Sequence, residues 1–82
     1  MDNIEQIHRN EYGITFKNKD FFFYLCLAGE HYGYKLQITK NINGEYDGSL
    51  NKKIIHEVSY KNESEALRLF RIDIDKFLKE VK

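Results

Sequence analysis

The strongest constraint on this fold is an uninterrupted apolar segment, residues 21–28, in which every side chain is apolar or aromatic. A strand with one face in water alternates apolar and polar residues, whereas a strand covered on both faces does not. The segment therefore predicts a strand whose second face is also covered. Because a chain of 82 residues buries only about 60% of its unfolded surface, that cover matters for stability.

Alternating apolar and polar residues predict three further strands, at residues 12–17, 34–39 and roughly 53–61. The polar residues 18–20 form the turn into the apolar segment, and Gly29 and Gly33 bracket the next connection. The segment 41–51 contains two glycines and no apolar period, so we expect a loop or a hairpin tip there. The pattern predicts a three-stranded meander followed by a fourth strand.

The last part of the chain has the spacing of an amphipathic helix from about Glu63 to Glu80. Its apolar residues recur every three or four positions: Leu67, Phe70, Ile74, Phe77, Leu78 and Val81. Asn62 with Glu65 three residues later is compatible with a capping box, although Ser64 is a competing cap. Leu69 and Ile72 lie off this stripe and widen the apolar surface towards one flank.

A short N-terminal helix is also predicted, with Asp2 as its cap and Ile4 and Ile7 on one face. The expected architecture is α+β: an antiparallel sheet of three to four strands, a C-terminal amphipathic helix packed on one face, and this short N-terminal helix. We expect residues 1–82 to form a single small domain.

The two faces of the predicted sheet differ in character. The face that receives the C-terminal helix carries Tyr12, Ile14, Phe16, Phe21, Phe23, Leu25, Leu27, Leu36 and Ile38. The opposite face carries Phe22, Tyr24 and Cys26 beside Lys17, Lys35 and Gln37. Three covers for that face are open: the N-terminal helix, another protein chain or a second copy, and single-stranded nucleic acid stacked on the aromatic rings.

Charge and cysteine content exclude several classes of protein. Lys plus Arg and Asp plus Glu number 13 each, which indicates neither a basic duplex-binding arm nor an acidic DNA mimic. The single cysteine, Cys26, cannot form an intrachain disulfide. The polar N-terminus lacks an apolar signal core, and no apolar run reaches the roughly 20 residues of a spanning helix. We therefore expect a cytoplasmic protein that does not bind a membrane.

Metal sites are not predicted. His8, His31 and His56 show no short ligand spacing with each other or with Cys26, so we expect no zinc site.

The 41–51 loop resembles a calcium loop in part, because Asn43, Glu45, Asp47 and Gly48 match its first, third, fifth and sixth positions. Its twelfth position is Ile54 instead of Glu, and strands are predicted to flank it, so a plain hairpin loop is favoured.

Catalysis is not predicted either. No phosphate-binding glycine pattern and no credible nucleophile occurs, and Cys26 among Phe and Leu suits an apolar filler. Glu30 and His31 could act as an acid and a base, but polar residues at a loop tip are usually just solvated. We expect a chain that is not an enzyme and that needs no cofactor.

The preferred function is a small non-catalytic protein-binding module. Its size and composition also suit a phage or mobile-element inhibitor that blocks a host protein, of the kind that anti-CRISPR proteins represent, by analogy and without a shared motif. The alternatives are a single-stranded nucleic-acid-binding module and a homodimeric structural domain. The candidate contact residues are Lys17, Phe22, Tyr24, Lys35 and Gln37 on the sheet and Glu30, His31, Tyr32, Glu45, Tyr46 and Asp47 in the loops.

Overall fold

The computed structural model describes residues 4–30, 32–40 and 54–81, which form a five-stranded antiparallel sheet and one C-terminal helix. The strands are β1 (Glu5–Asn10), β2 (Gly13–Lys17), β3 (Phe21–Cys26), β4 (Tyr34–Lys40) and β5 (His56–Tyr60), and the helix is α1 (Glu63–Glu80). Each strand pairs with its neighbour in the chain, in the order β1-β2-β3-β4-β5. The α+β class and the meander are confirmed, and the sheet has one strand more than expected.

The predicted N-terminal helix is wrong, because the segment after Ile4 forms the edge strand β1. The three-residue spacing of Ile4 and Ile7 fits a helix, but the β1–β2 register shifts between Gln6 and His8, which leaves Ile7 as the extra residue of a bulge. A short helix with two apolar residues gains little from packing, whereas a strand satisfies the backbone groups along the edge of β2. The predicted cap Asp2 lies outside the described residues.

Two asparagines close the first two hairpins in the same way. The side-chain Oδ1 of each accepts hydrogen bonds from the backbone N–H groups two and three residues later, at 2.8 and 3.1 Å for Asn10 and at 2.9 and 2.8 Å for Asn18. This is the turn that asparagine favours, because its short side chain imitates a backbone acceptor. Asn10 therefore starts a turn.

The cross-strand register divides the side chains between the two faces of the sheet as predicted. Ile14, Leu25 and Leu36 pair in one row, and Phe16, Phe23 and Ile38 pair in the next. All six residues belong to the buried core beneath α1, with Phe21 and Leu27 packed against it. The assignment of these side chains to the helix-covered face is confirmed.

Helix α1 begins and ends where the sequence predicts. The Asn62 side chain accepts a hydrogen bond from the Glu65 backbone N–H at 2.9 Å, and the Glu65 carboxylate accepts one from the Lys61 backbone N–H at 2.9 Å. Asn62 is thus the N-cap, and Ser64 is not. In the described part of the chain, no helix has the length and apolar character needed to cross a membrane.

The buried side of α1 differs from the predicted stripe by a small rotation. The helix packs over β3, β4 and β5 through Ala66, Phe70, Ile74, Phe77 and Leu78. Leu67 and Val81, expected on this stripe, are 47% and 50% exposed. Ala66 is fully buried instead, since its small side chain suits the close approach of the helix to the sheet.

Candidate protein-binding surfaces

The helix-free face of the sheet contains all five sheet residues proposed as contacts. Lys17, Phe22 and Thr39 form one cross-strand row, and Tyr24 and Gln37 belong to the next. Lys35 pairs with Cys26 at the end of the face. The sequence therefore places these residues correctly, although their role in binding stays a prediction.

Burial limits what this face can offer to a partner. Phe22 is only 2% exposed, Cys26 is 4% exposed, and Thr15 is fully buried. Phe22 therefore lies below the surface that a partner would meet. The Thr15 hydroxyl makes no hydrogen bond to any residue that the structure describes, which is costly for a buried polar group.

Two polar residues of the helix-free face, Tyr24 and Gln37, make contacts within the sheet. A β-carbon placed on Gly13 would lie 3.0 Å from Cζ and Oη of Tyr24, so the tyrosine ring covers the glycine backbone. Tyr24 itself is only partly exposed. Across β4 and β5, the Gln37 amide donates a 2.8 Å hydrogen bond to the Glu57 carboxylate. These contacts make the face a supporting surface with little exposed aromatic area.

Among the described residues, the most exposed aromatic side chains lie at one end of the sheet, where the β1–β2 turn and the β3–β4 connection meet. The backbone N–H of Leu27 donates to the Tyr12 carbonyl at 2.7 Å, and that of Tyr32 donates to the Ala28 carbonyl at 2.8 Å. Tyr12 is 49% exposed and Tyr32 is 64% exposed. We call Glu11, Tyr12, Glu30 and Tyr32 the tyrosine tip.

Local packing holds the β3–β4 connection in place. A β-carbon on Gly29 would overlap the Tyr34 ring, so only glycine allows this ring to cover the backbone there. Gly33 adopts the left-handed conformation with φ of 76°, which glycine permits without strain. The Cys26 thiol also lies 3.6 Å from the Gly33 carbonyl, as a hydrogen-bond donor. Tyr32 is therefore carried by a backbone whose ends are fixed.

The start of α1 lies at the same end of the sheet, because Tyr60, just before the helix, pairs with Tyr34, which follows the β3–β4 connection. The helix start brings Glu63 and Glu65 to this end. The described residues of the two connections and this junction carry four carboxylates and one lysine: Glu11, Glu30, Glu63, Glu65 and Lys61. None of these five groups forms an ion pair within 4.0 Å with a residue that the structure describes. Arg9 and Lys35 also lie at this end, next to the two connections, so acidic and basic residues are mixed there.

A part-buried hydrogen bond fixes α1 against β5. The Tyr60 hydroxyl donates to the Asp73 carboxylate at 2.6 Å. Burial, followed by this hydrogen bond and the nearby charge of Asp73, raises the pKa of Tyr60 well above its ordinary value. The hydroxyl consequently stays protonated as a donor, and the contact is structural.

The remaining candidates are the loop residues outside the described part of the chain and the residues considered as metal ligands. His31, Glu45, Tyr46 and Asp47, with the calcium-like loop, lie outside the described residues. Across residues 4–30, 32–40 and 54–81, no three His, Cys, Asp or Glu side chains are grouped so that they could hold a metal ion. His8 lies 3.4 Å from the Asn10 amide, and the His56 ring packs 5.3 Å from the Phe77 ring.

Sequence reasoning missed Glu11 and Tyr12 as surface residues. Tyr12 was expected at the start of a strand, facing the helix, because it alternates with Ile14 and Phe16. The signal that could have placed it is Asn10 followed by Gly13, a spacing that favours a four-residue turn with Tyr12 inside it.

Comparisons of this chain with protein-family models, with curated protein sequences and with solved structures find no match. The function must therefore be argued from the surfaces themselves.

Proposed function

We propose that this chain is a small non-catalytic protein-binding module that contacts its partner through the tyrosine tip. The observation that carries the proposal is the placement of two exposed tyrosines, Tyr12 at 49% and Tyr32 at 64% exposure. The backbone of each is hydrogen-bonded to one of two adjacent residues, Leu27 and Ala28. Tyrosine is enriched among the residues that dominate binding energy at protein interfaces. Two tyrosines so placed can form the centre of a contact.

The construction of the tip favours binding because little freedom remains to be lost. A tyrosine side chain has two rotatable χ angles and presents a large amphipathic ring, so it loses little entropy on contact. The Asn10 turn fixes the backbone that carries Tyr12, and the Gly29–Tyr34 packing fixes the backbone before Tyr32. Preorganised loops of this kind increase affinity by lowering the ordering cost.

More specifically, we propose an inhibitor that a phage or mobile element uses against a host protein. An inhibitor needs only a surface that blocks its target, and the tyrosine tip could serve in that role. This step, like the cytoplasmic location, rests on size, composition and cysteine content.

The alternative functions have weaker support. A nucleic-acid platform needs exposed rings on the sheet, but Phe22 is buried and the Tyr24 ring lies against Gly13. A dimer built by joining β1 edges is disfavoured, because five of the six residues of β1 are polar and the strand contains a bulge at Ile7.

Site-specific photocrosslinking tests the proposal. A photoreactive phenylalanine analogue replaces Tyr12 or Tyr32 in two tip variants and Ile72 in a control, since Ile72 is 51% exposed on α1. The variants are irradiated in an extract of the source cells. We expect one protein to crosslink at both tip positions and not at Ile72.

Alanine variants give the matched affinity test with the captured partner. Tyr12→Ala with Tyr32→Ala should weaken binding by at least about 30-fold, the effect of losing an interface hot spot of about 2 kcal/mol. Ile72→Ala should bind as the unmodified chain does, and circular dichroism should be the same for all. Unchanged affinity of a folded double variant, or equal crosslinking at Ile72, contradicts the proposal.

A further inference from the structure

We infer that Arg71, together with Gln6 and Arg9, forms a second binding site, which takes the carboxylates of an acidic peptide segment. The site uses no residue of the tyrosine tip, so the inference goes beyond the proposed function and does not depend on it. It rests on the part of the sheet that α1 leaves open, on the stacking of Arg71 and on the placement of the arginines.

The helix leaves one edge of its own side of the sheet open. It packs over β3, β4 and β5, and no Cα atom of α1 lies within 8 Å of one in β1 or β2. Gln6 pairs with Phe16 and Arg9 pairs with Ile14, so the side chains of Gln6 and Arg9 share the face on which Phe16 and Ile14 join the core. A ligand can therefore lie on β1 and β2 beside the helix.

Two aromatic rings hold the Arg71 guanidinium at this open face. Its central carbon lies 5.6 Å from the centre of the Phe16 ring and 5.2 Å from that of Phe70, and the two rings stack on each other at 5.4 Å. Arg71 is exposed, and it forms no ion pair or hydrogen bond with any residue that the structure describes. The rings thus position the guanidinium while its N–H donors stay available to a ligand.

The placement of the arginines points to a carboxylate ligand. The chain has three arginines: Arg9 lies on the open face, and Arg68 precedes Arg71 by one turn of α1. The nearest carboxylates in sequence are Asp75, one turn after Arg71, and Glu11, in the turn after Arg9, and neither pairs with an arginine within 4.0 Å. A guanidinium binds a carboxylate through two parallel hydrogen bonds, and the Gln6 amide next to Phe16 supplies a further donor.

The apolar surface beside Arg71 favours a peptide over a nucleic acid. Leu67 lies one turn before Arg71 and is 47% exposed, so an apolar residue next to the acidic one can cover it. A nucleic-acid strand needs cations repeated along its backbone, whereas here Asp75 would meet phosphates on the same flank of α1. The occupant is therefore an acidic peptide segment, and binding of a nucleic acid at this site would overturn the inference.

The test uses the isotopically labelled full chain and three probes: a glutamate–leucine–glycine peptide, a lysine–leucine–glycine peptide of the same length, and a single-stranded oligonucleotide. Nuclear magnetic resonance follows the backbone amides and the arginine Nε–H groups during each titration. We expect the glutamate peptide alone to shift the Nε–H signal of Arg71 and the backbone amides of Gln6 and Leu67. Shifts centred elsewhere, or the same shifts with the lysine peptide or the oligonucleotide, overturn the inference.

Variants separate the geometry of the site from general positive charge. Arg71→Lys keeps the charge but loses the planar pair of donors, so affinity for the glutamate peptide should fall by at least about tenfold. Arg9→Gln leaves the ring stack intact and should weaken binding by at least about threefold. Lys76→Gln is the control, because it removes an exposed cation from another side of α1; it should bind within about twofold of the unmodified chain.

Circular dichroism and thermal unfolding accompany each titration, because Arg71→Lys also removes cover from Phe16. If Arg71→Lys fails to fold, Arg9→Gln decides, since Arg9 is exposed on the edge strand. Unchanged affinity of a folded Arg71→Lys or Arg9→Gln variant, or equal weakening by Lys76→Gln, overturns the inference. The tip residues are unaltered in all of these variants, so failure here is separate from failure of the proposed function.

Discussion

Phe22 and Phe23 are neighbours in the chain, lie on opposite faces of the sheet, and are 2% and 0% exposed. Phe23 belongs to the core beneath α1, whereas Phe22 lies in a row with Lys17 and Thr39 on the helix-free face. In the apolar run, Phe22 and Cys26 on the helix-free face are buried, whereas Tyr24 between them is only partly buried. The comparison shows that an aromatic residue can lie on the face without the helix and still be buried. Among the residues that the structure describes, the most exposed rings, Tyr12 and Tyr32, lie in the connections.

The neighbours of the two faces also differ in kind. On the covered face, Phe16 stacks on Phe70 with ring centres 5.4 Å apart, and Phe21 meets Phe77 edge to face at 4.9 Å. On the helix-free face, Phe22 pairs with Lys17 and Thr39, and Tyr24 pairs with Thr15 and Gln37. Stability should therefore be more sensitive to truncation on the covered face.

The largest effect is expected for Phe70→Ala on the covered face. Phe70 is 6% exposed and stacks on Phe16, so truncation leaves a cavity that the sheet cannot close. The free energy of unfolding should fall by about 3 to 5 kcal/mol, enough to unfold much of so small a chain. Denaturant titration measures the change, with Ile72→Ala as an exposed control on the same helix. A loss below about 1 kcal/mol would show that the helix is peripheral.

A smaller effect is expected for Phe22→Ala on the helix-free face. The side chain is equally buried, but the flexible Lys17 beside it can fill part of the space. We expect a loss of about 1.5 to 3 kcal/mol, the transfer free energy of the ring without a large cavity term. Phe23→Ala, measured under the same denaturant conditions, should cost more. A cost for Phe22 equal to that for Phe23 would remove the energetic difference between the two faces.

The smallest effect is expected for Tyr60→Phe, which removes the hydrogen bond between β5 and α1. At neutral pH the loss should be about 1 to 2 kcal/mol, because a partly buried carboxylate loses its donor. The folded-state pKa of Tyr60 is raised above the unfolded value of about 10. Its contribution is therefore complete below about pH 10 and is lost as the pH rises further.

Thermal or denaturant unfolding between neutral and alkaline pH provides the measurement. Above about pH 10, the free energy of unfolding of Tyr60→Phe should fall less steeply with pH than that of the unmodified chain. Ile72→Ala serves as the control, because Ile72 is 51% exposed and has no ionisable group, so its alkaline slope should match that of the unmodified chain. Identical slopes in all three proteins would show that Tyr60 does not link folding to pH.

The sequence alone determined the elements whose patterns extend over many residues. The strands β2, β3 and β4, the two faces of the sheet and the bounds of α1 follow from apolar period and from the capping pattern of Asn62. These signals are local and repeated, so each agrees with the burial that the fold requires. The loop placement of Tyr32 between Gly29 and Gly33 was predicted for the same reason.

Tertiary structure decided the features whose local signals were balanced. Residues after Ile4 could form a helix or a strand, and the unpaired edge of β2 selected the strand. Ala66 and Leu67 both lie near the apolar stripe of α1, and the depth of helix packing selected the smaller side chain. Tertiary structure also decided the tyrosine tip. Its two connections are far apart in sequence, and strand pairing brings them to the same end of the sheet.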